Sequence, residues 1–172
     1  MHIKEKHLQL LPTLQNALLA VAVFCYWMWI APHLLFYRES MQLFLWTEDY
    51  LSERLAVPGG FAQYLGECIV QLFLNPAIGA GCYALMAIMT RIISARLLSS
   101  VITDKVRWSW LTLLPPLVLW YITMVPTIPM TVPVALLLTI TLMAILPDNP
   151  RSSMWLTIVL VPTGYWLLGP AI

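Results

Sequence analysis

Residues 108–147 read WSWLTLLPPLVLWYITMVPTIPMTVPVALLLTITLMAILP, a stretch of 40 residues without a charged side chain. A membrane-spanning helix needs about 20 mostly apolar residues to cross a hydrocarbon layer of about 30 Å. This stretch is long enough for two such helices, and Pro126, Pro129 and Pro133 lie near its middle. Each proline lacks a backbone N–H and disfavours a helical conformation in the residue before it. The stretch therefore predicts two helices joined by a tight turn.

Charged residues delimit three further apolar segments on either side of this stretch. The first lies between Lys6 and Arg38, the second between Glu67 and Arg91, and the third follows Arg151. The first segment is too long and too rich in bulky residues for a cleaved signal peptide, so we interpret it as a retained helix. The chain is therefore expected to have five spans, at about residues 14–36, 66–91, 108–125, 131–147 and 153–170.

The composition agrees with a membrane protein. Hydrophobic residues make up 60% of the 172 residues and charged residues 10%, whereas an ordinary soluble domain has about 25% charged residues. The formal net charge of +1 and the absence of a basic stripe argue against a nucleic-acid-binding protein. We expect an all-α integral membrane bundle of about five helices, a single domain over residues 1–172, with the lipid bilayer as its main partner.

The positive charges predict an orientation. With a cytoplasmic N-terminus, seven Lys and Arg residues lie on the inside and only Arg38 and Arg54 on the outside, which agrees with the positive-inside rule. Five spans then place the C-terminus on the outer side, which for a bacterial inner membrane is the periplasm. The segment 91–107 then lies in the cytoplasm and reads as an amphipathic stretch attracted to anionic lipid.

The outer loop, residues 37–62, contains a short predicted helix. Thr47 is a plausible N-cap, Glu48 and Asp49 complement the helix dipole in the first turn, and Pro58-Gly59-Gly60 ends the helix. Two interpretations remain open. The helix lies on the membrane surface with solvated acids, or Glu39, Glu48 and Asp49 form an acidic site that binds a divalent cation or supplies a general base.

Polar residues recur every four positions at the start of the second predicted span. Gln63, Glu67, Gln71 and Asn75 share one face of a helix. Lipid cannot satisfy these groups, so this polar ridge should face other helices or a wet cavity. Hydrogen bonding between helices, with a kink at Pro76, is one interpretation, and a transport path with Glu67 at its mouth is the other.

No cofactor or metal is expected. The three cysteines lie in or beside apolar segments without the spacing of a ligand motif, and His33 has no second histidine at a compatible depth.

Small residues occur in the second predicted span. Ala77 and Gly81 have the four-residue spacing that allows two helices to approach closely.

Residues of the outer loop carry a resemblance to a known family. They are Tyr37-Arg38-Glu39, Gln42-Leu43-Phe44-Leu45, Tyr50, Pro58-Gly59-Gly60 and Tyr64-Leu65. With them the chain resembles the N-terminal part of an uncharacterised bacterial family of multi-pass inner-membrane proteins, a domain of unknown function. The resemblance covers about residues 15–95 and implies a topology without an activity. Members of that family are longer, which implies a missing C-terminal region or other membrane subunits as partners.

The layout is also similar to the start of membrane glycosyltransferases that use lipid-linked sugar donors. That similarity implies Glu39, Glu48 and Asp49 as catalytic candidates in the first outer loop. The loop lacks an Asp-x-Asp or Glu-x-Asp spacing, however, and five spans are fewer than that fold has. Our leading expectation is a structural or anchoring membrane component, or the N-terminal part of a larger envelope protein. An envelope glycosyltransferase and a transporter subunit are the alternatives.

Overall fold

The computed structural model describes residues 2–42, 44–101, 109–145 and 150–169, and side chains within 12–42, 44–99, 109–145, 157–158 and 160–169. This part of the chain is all-α. Its helices are α1 (His2–Cys25), α2 (Pro32–Met41), α3 (Glu48–Leu55), α4 (Gly60–Gln71), α5 (Pro76–Val101), α6 (Leu114–Met124), α7 (Thr131–Ile145) and α8 (Pro150–Leu168). A π-helical turn (Tyr26–Ile30) follows α1, and 3₁₀ turns (Leu72–Leu74 and Ser109–Leu113) precede α5 and α6.

The first predicted span, 14–36, covers the second half of α1, the π-helical turn and the first half of α2. Pro32 lies at the first turn of α2, and the residue before it, Ala31, leaves the helical region at φ −125° and ψ 36°. The Ala31 N–H donates to the Tyr26 carbonyl over 2.9 Å, five residues back. This wider turn keeps one face buried across the break. Every fourth residue from 19 to 35 is buried on that face: Leu19, Val23, Trp27, Ala31 and Leu35.

The second predicted span, 66–91, is divided between α4 and α5. Pro76 is the first residue of α5 and disfavours a helical conformation at Asn75, which is extended at φ −105° and ψ 111°. The Asn75 side-chain oxygen accepts a hydrogen bond from the Ala77 N–H over 3.0 Å. Asn75 therefore caps α5 and is no longer part of the helix that carries Gln63 and Glu67.

Within the uncharged stretch 108–147, the described residues 109–145 form two helices with a turn between them. The 3₁₀ turn and α6 cover its first half, and α7 covers its second half up to Ile145. Residues 146–149 and 102–108, which include the end of the predicted cytoplasmic segment 91–107, lie outside the described residues.

The core lies where α5 packs between α1, α6 and α7. Ala80, Ala84 and Ala87 of α5 are buried in this core, together with Trp27 and Phe73. Small side chains let the helices approach closely. The predicted close-approach pair is not at this contact, because Ala77 is exposed and a Cβ added at Gly81 would have no neighbour within 4 Å.

Long-range hydrogen bonds define two ends of the bundle. At one end, Arg38 binds carbonyls at residues 123–128, and the Gly59 N–H donates to the Trp166 carbonyl over 2.8 Å. At the other end, Arg91 binds the Pro12 carbonyl over 2.9 Å. We call these the Arg38 end and the Arg91 end. The Arg38 end thus contains α2, the turn after α6 and the end of α8, and the Arg91 end contains α1, part of α5 and the 3₁₀ turn before α6.

Within the described residues, two helical stretches are long and apolar enough to cross a membrane, Pro12–Ile30 and Pro76–Ser99. The stretches Ser109–Met124 and Thr131–Ile145 are apolar but shorter. A buried core helix or a signal sequence meets the same criteria of length and composition. The all-α class is therefore established, and the five membrane spans stay a prediction.

Candidate functional site

The three acids of the predicted outer site lie on two different helices. Glu39 is half-buried on α2, whereas Glu48 and Asp49 are exposed in the first turn of α3. The predicted N-cap of α3 is confirmed, because the Thr47 hydroxyl accepts from the Tyr50 N–H over 3.3 Å. In the part of the chain that the structure describes, no three His, Cys, Asp or Glu residues are grouped so that they could hold a metal ion.

A fourth acid, Glu67 of α4, is buried against α3 with only 6% of its surface exposed. Its carboxylate accepts hydrogen bonds from the Tyr50 hydroxyl at 2.5 Å and from the Gln63 side-chain amide at 2.9 Å. The Arg54 guanidinium forms an ion pair with it at 3.2 Å and also donates to the Tyr50 hydroxyl at 2.8 Å. We call these four residues the Glu67 cluster.

Helical spacing and a glycine turn assemble this cluster. Tyr50 and Arg54 lie four residues apart on one face of α3, as do Gln63 and Glu67 on α4. Gly59, with φ +85°, allows the sharp turn that makes the two helices antiparallel. A Cβ at Gly60 would lie 1.6 Å from the Arg54 carbonyl oxygen, so a glycine is required where α4 begins.

The surroundings of the cluster keep the Tyr50 phenol and the Arg54 guanidinium protonated. Burial raises the pKa of the Tyr50 phenol and the hydrogen bond to Glu67 raises it further, while Arg54 opposes both effects. The phenol therefore stays a neutral donor. The Arg54 guanidinium lies 4.8 Å from the centre of the Tyr50 ring, and its hydrogen bond to that hydroxyl raises the pKa of Arg54.

Aromatic rings cover one side of the cluster. Phe44 contacts Trp46 and Tyr64, each with ring centres 5.0 Å apart, and Tyr50 at 5.8 Å. Trp46 projects outward with 77% of its surface exposed. The Glu67 carboxylate accepts hydrogen bonds from Tyr50 and Gln63 and pairs with Arg54, so its oxygens are engaged by residues of α3 and α4. The cluster therefore joins α3 to α4 through buried polar contacts.

The polar ridge predicted from sequence is divided by the break after α4. Gln63 and Glu67 are brought together in the Glu67 cluster. Gln71 turns to the preceding loop, where its amide donates to the Gln42 carbonyl at 3.3 Å, and Asn75 caps α5. The four residues thus have three separate sets of partners.

Two buried arginines were missed by the sequence reasoning, which treated them as loop charges. Arg38 is 4% exposed and donates to the Ile128, Thr123 and Val125 carbonyls at 2.8, 3.0 and 2.8 Å. The sequence did indicate that Arg38 is buried, because Arg38 lies three residues after Leu35 and so continues the buried face.

Arg91 is 3% exposed and lies four residues after the buried Ala87. It donates to the Pro12 carbonyl and to the side chains of Gln15 and Asn16, and Ser109 donates to the same Gln15 oxygen at 3.1 Å. Arg91 therefore joins α5 to α1 and to the 3₁₀ turn before α6 at the Arg91 end.

Comparison with known proteins identifies a family and no individual relative. Neither the curated proteins nor the solved structures contain a match to this chain. A family model described as "Family of unknown function (DUF6057)" matches residues 6–172. The match covers almost the whole sequence, including the outer loop and the Glu67 cluster, and the chain therefore belongs to the DUF6057 family.

Proposed function

We propose that this protein is a multi-pass membrane component with a structural or anchoring role. The proposal rests on a distribution of polar and apolar residues that is the reverse of that in a soluble protein. Arg38, Glu67 and Arg91 are buried among the helices, while large apolar side chains cover the outside of the bundle. Water would penalise such an exposed apolar surface, whereas lipid favours it.

The outward-facing apolar residues lie on the sides of several helices. They include Leu14, Leu18 and Val21 on α1, Leu85, Met89 and Ile92 on α5, Leu117 and Val118 on α6, and Ile158 and Val161 on α8. α1 and α5 are therefore apolar on both their inner and outer faces, which is typical of a membrane span.

The positions of the Arg38 end and the Arg91 end support the predicted topology. With a cytoplasmic N-terminus, the Arg91 end lies inside the cell and the Arg38 end outside. The Glu67 cluster and the exposed Trp46 then lie at the outer interface, where amphipathic aromatic rings are favoured. The five spans would be α1 with α2, α5, α6 with its 3₁₀ turn, α7 and α8, with α3 and α4 as a helical hairpin at the outer end.

The chemistry of the buried polar groups supports a structural role over catalysis. Arg38 and Arg91 bind oxygens of distant helices, and the Glu67 carboxylate is held by Tyr50, Arg54 and Gln63. The two arginines connect elements that are far apart in sequence, and Glu67 connects the consecutive helices α3 and α4.

Site-specific labelling of the full chain in bacterial membranes tests this proposal. Cys25, Cys68 and Cys82 are replaced by alanine, and a single cysteine is introduced as Ser52→Cys at the Arg38 end or as Ser99→Cys at the Arg91 end. We expect a membrane-impermeant maleimide to label the first variant in intact spheroplasts, and the second only after permeabilisation. Labelling of both on one side, or release of the chain from membranes by alkaline carbonate, would overturn the proposal.

A further inference from the structure

Exposed tyrosine and tryptophan side chains gather at the Arg38 end of the bundle. Seven such side chains are exposed in the part of the chain whose side chains the structure describes. Five of them lie at this end and come from four separate elements: Tyr37 of α2, Trp46 of the loop before α3, Tyr121 of α6, and Tyr165 and Trp166 of α8. We call these five residues the aromatic girdle. The other two are Trp110, at the Arg91 end, and Trp29, in the π-helical turn.

A hydrogen bond places the girdle residues of α2 and α6 at the same end. Tyr37 precedes Arg38 in the chain, and the Arg38 guanidinium donates to the Thr123 carbonyl at 3.0 Å. Thr123 lies two residues after Tyr121, near the carboxyl end of α6. Tyr37 and Tyr121 are 43% and 69% exposed, so both rings face outward close to this hydrogen bond.

The helical hairpin of α3 and α4 fixes the α8 residues and Trp46 at this end. The Trp166 carbonyl accepts from the Gly59 N–H at 2.8 Å, in the turn between the two helices. The Trp46 ring centre lies 5.0 Å from that of Phe44, and Phe44 packs on Tyr64 of α4 at the same distance. Four separate parts of the chain thus present exposed aromatic side chains at one end of the bundle.

Aliphatic side chains border the girdle on the side that faces the middle of the bundle. On α6, the exposed Val118 lies three residues before Tyr121. On α8, the exposed Val161 lies four residues before Tyr165. Residues at these spacings share one face of a helix. The outer face of each helix therefore changes from aliphatic to aromatic toward the Arg38 end.

Exposed charged side chains are confined to the two ends. Among the described side chains, the exposed Asp, Glu, Lys and Arg residues lie on α3 and on the part of α5 that follows Arg91: Glu48, Asp49, Glu53 and Arg96. The order from aliphatic to aromatic to charged matches the order of hydrocarbon, headgroup region and water across a bilayer. Tyr and Trp suit the middle layer because each has an apolar ring with one polar group.

We propose that the aromatic girdle binds the lipid headgroup region at the outer surface of the membrane and thereby sets the depth of the protein in the bilayer. This inference rests on the proposed function and adds the position of one membrane boundary, with the residues that hold it. The rings lie among the headgroups and ester carbonyls, where the phenol and indole groups donate hydrogen bonds to lipid oxygens. The exposed face of α3, with Glu48 and Asp49, then lies in the outer aqueous phase.

Nitroxide depth measurements on the full chain in phosphatidylcholine vesicles test the girdle. In the chain with alanine at positions 25, 68 and 82, one spin label at a time is attached through Trp46→Cys, Tyr121→Cys or Tyr165→Cys, which leaves four girdle residues in place. Collision rates with oxygen, which concentrates in lipid, and with a nickel chelate, which stays in water, give the depth of each label. We expect all three labels about 15–20 Å from the bilayer centre, where the hydrocarbon meets the headgroups.

Three further labels serve as controls. Trp29→Cys is matched in residue type and is 69% exposed, but it lies eight residues before Tyr37, about 12 Å along a helix. Its label should therefore lie deeper than the girdle. Leu85→Cys should report the hydrocarbon interior, and Asp49→Cys should report water.

These labels separate failure of this inference from failure of the proposed function. If the nickel chelate reaches Leu85→Cys as fast as Asp49→Cys, water surrounds the bundle and both are overturned. If Leu85→Cys lies in lipid, the multi-pass proposal stands. The girdle alone is then overturned by labels at 46, 121 and 165 that are as deep as Leu85→Cys or as accessible to nickel as Asp49→Cys, or by a Trp29→Cys label at the depth of the girdle. Girdle labels that neither reagent reaches would mean that another protein chain covers them, which would also overturn it.

Discussion

Arg38 and Arg91 are buried arginines whose donors bind neutral oxygens. The Arg38 carbonyl partners include Thr123 and Val125, at the carboxyl end of α6. The last carbonyls of a helix have no partners within it and carry partial negative charge. Arg38 therefore satisfies the end of α6 and holds the proline-containing turn against α2.

Replacing Arg38 should destabilise the protein strongly. Arg38→Ala removes three charge-assisted hydrogen bonds and leaves buried carbonyls unpaired, and we expect a loss on the order of 3 kcal/mol. Arg38→Lys should rescue little, because an ammonium lacks the planar geometry that spans three carbonyls. Unfolding of the detergent-solubilised chain by denaturant measures the loss. The exposed Arg96, changed to alanine, is the control and should shift stability by less than about 0.5 kcal/mol.

Replacing Glu67 should lower the stability of the protein because its buried partners lose their shared acceptor. Glu67→Gln leaves Arg54 without its ion-pair partner and weakens the bonds to Tyr50 and Gln63, so we expect a loss of about 1–3 kcal/mol in the same assay. Glu48→Gln, on the exposed first turn of α3, should cost less than about 0.5 kcal/mol. Equal losses of stability for the two variants would contradict a stabilising role of the Glu67 cluster.

The glycosyltransferase alternative makes the opposite prediction for the exposed acids. If Glu48 and Asp49 carry catalysis, Glu48→Gln combined with Asp49→Asn should abolish the cellular phenotype of the gene while the protein level stays normal. We expect the phenotype of the double variant to match that of the wild type, because a surface helix with solvated acids tolerates their loss. Complementation of a deletion strain, with membrane levels compared by immunoblot, is the measurement.

At the scale of elements, the packing of α4 depends on one glycine. A Cβ at Gly66 would lie 2.9 Å from the Thr131 backbone nitrogen and 3.0 Å from the Met130 carbonyl carbon. These are backbone atoms at the start of α7, and they cannot move aside as a flexible side chain would. α4 can therefore lie against α7 only where a side chain is missing.

We expect Gly66→Ala to separate α4 from α7 and to lower the melting temperature. An overpacked helix contact costs about 1–3 kcal/mol. Gly81→Ala provides the matched control in a neighbouring helix, since its Cβ would meet open space. That change should be neutral or stabilising, because alanine favours a helix by about 1 kcal/mol over glycine. A lower melting temperature for Gly81→Ala than for Gly66→Ala would contradict the close contact of α4 with α7 at Gly66.

At the scale of the whole molecule, the solvent around the bundle decides how a surface charge is tolerated. Leu85 is 55% exposed near the middle of α5, and Leu45 is 58% exposed in the loop at the Arg38 end. In lipid, Leu85→Arg should cost about 2.5–3.5 kcal/mol of membrane insertion. Leu45→Arg should insert normally because it faces the interface. The carbonate-resistant fraction of each variant measures insertion, and equal fractions would mean that water surrounds α5.

How much of the structure the sequence could predict depends on how far apart along the chain the interacting residues lie. The short helix after Thr47 follows from a local cap, acidic first turn and glycine break, and its predicted start is confirmed. The close-approach pair Ala77 and Gly81 shows the limit of spacing rules. Many helix faces carry small residues, and only the neighbouring helix decides which face is used.

By itself, the sequence determined the all-α class, the turn within residues 108–147 and the start of α3, because apolar runs, prolines and caps act over a few residues. Only the tertiary structure decided the partners of the buried charges. Arg38 binds carbonyls 85–90 residues away, Arg91 binds oxygens 75–79 residues away, and Glu67 meets Tyr50 across a turn. A charge next to an apolar run reads as a loop in sequence. It becomes a buried connector only when folding brings distant oxygens within hydrogen-bond distance of it.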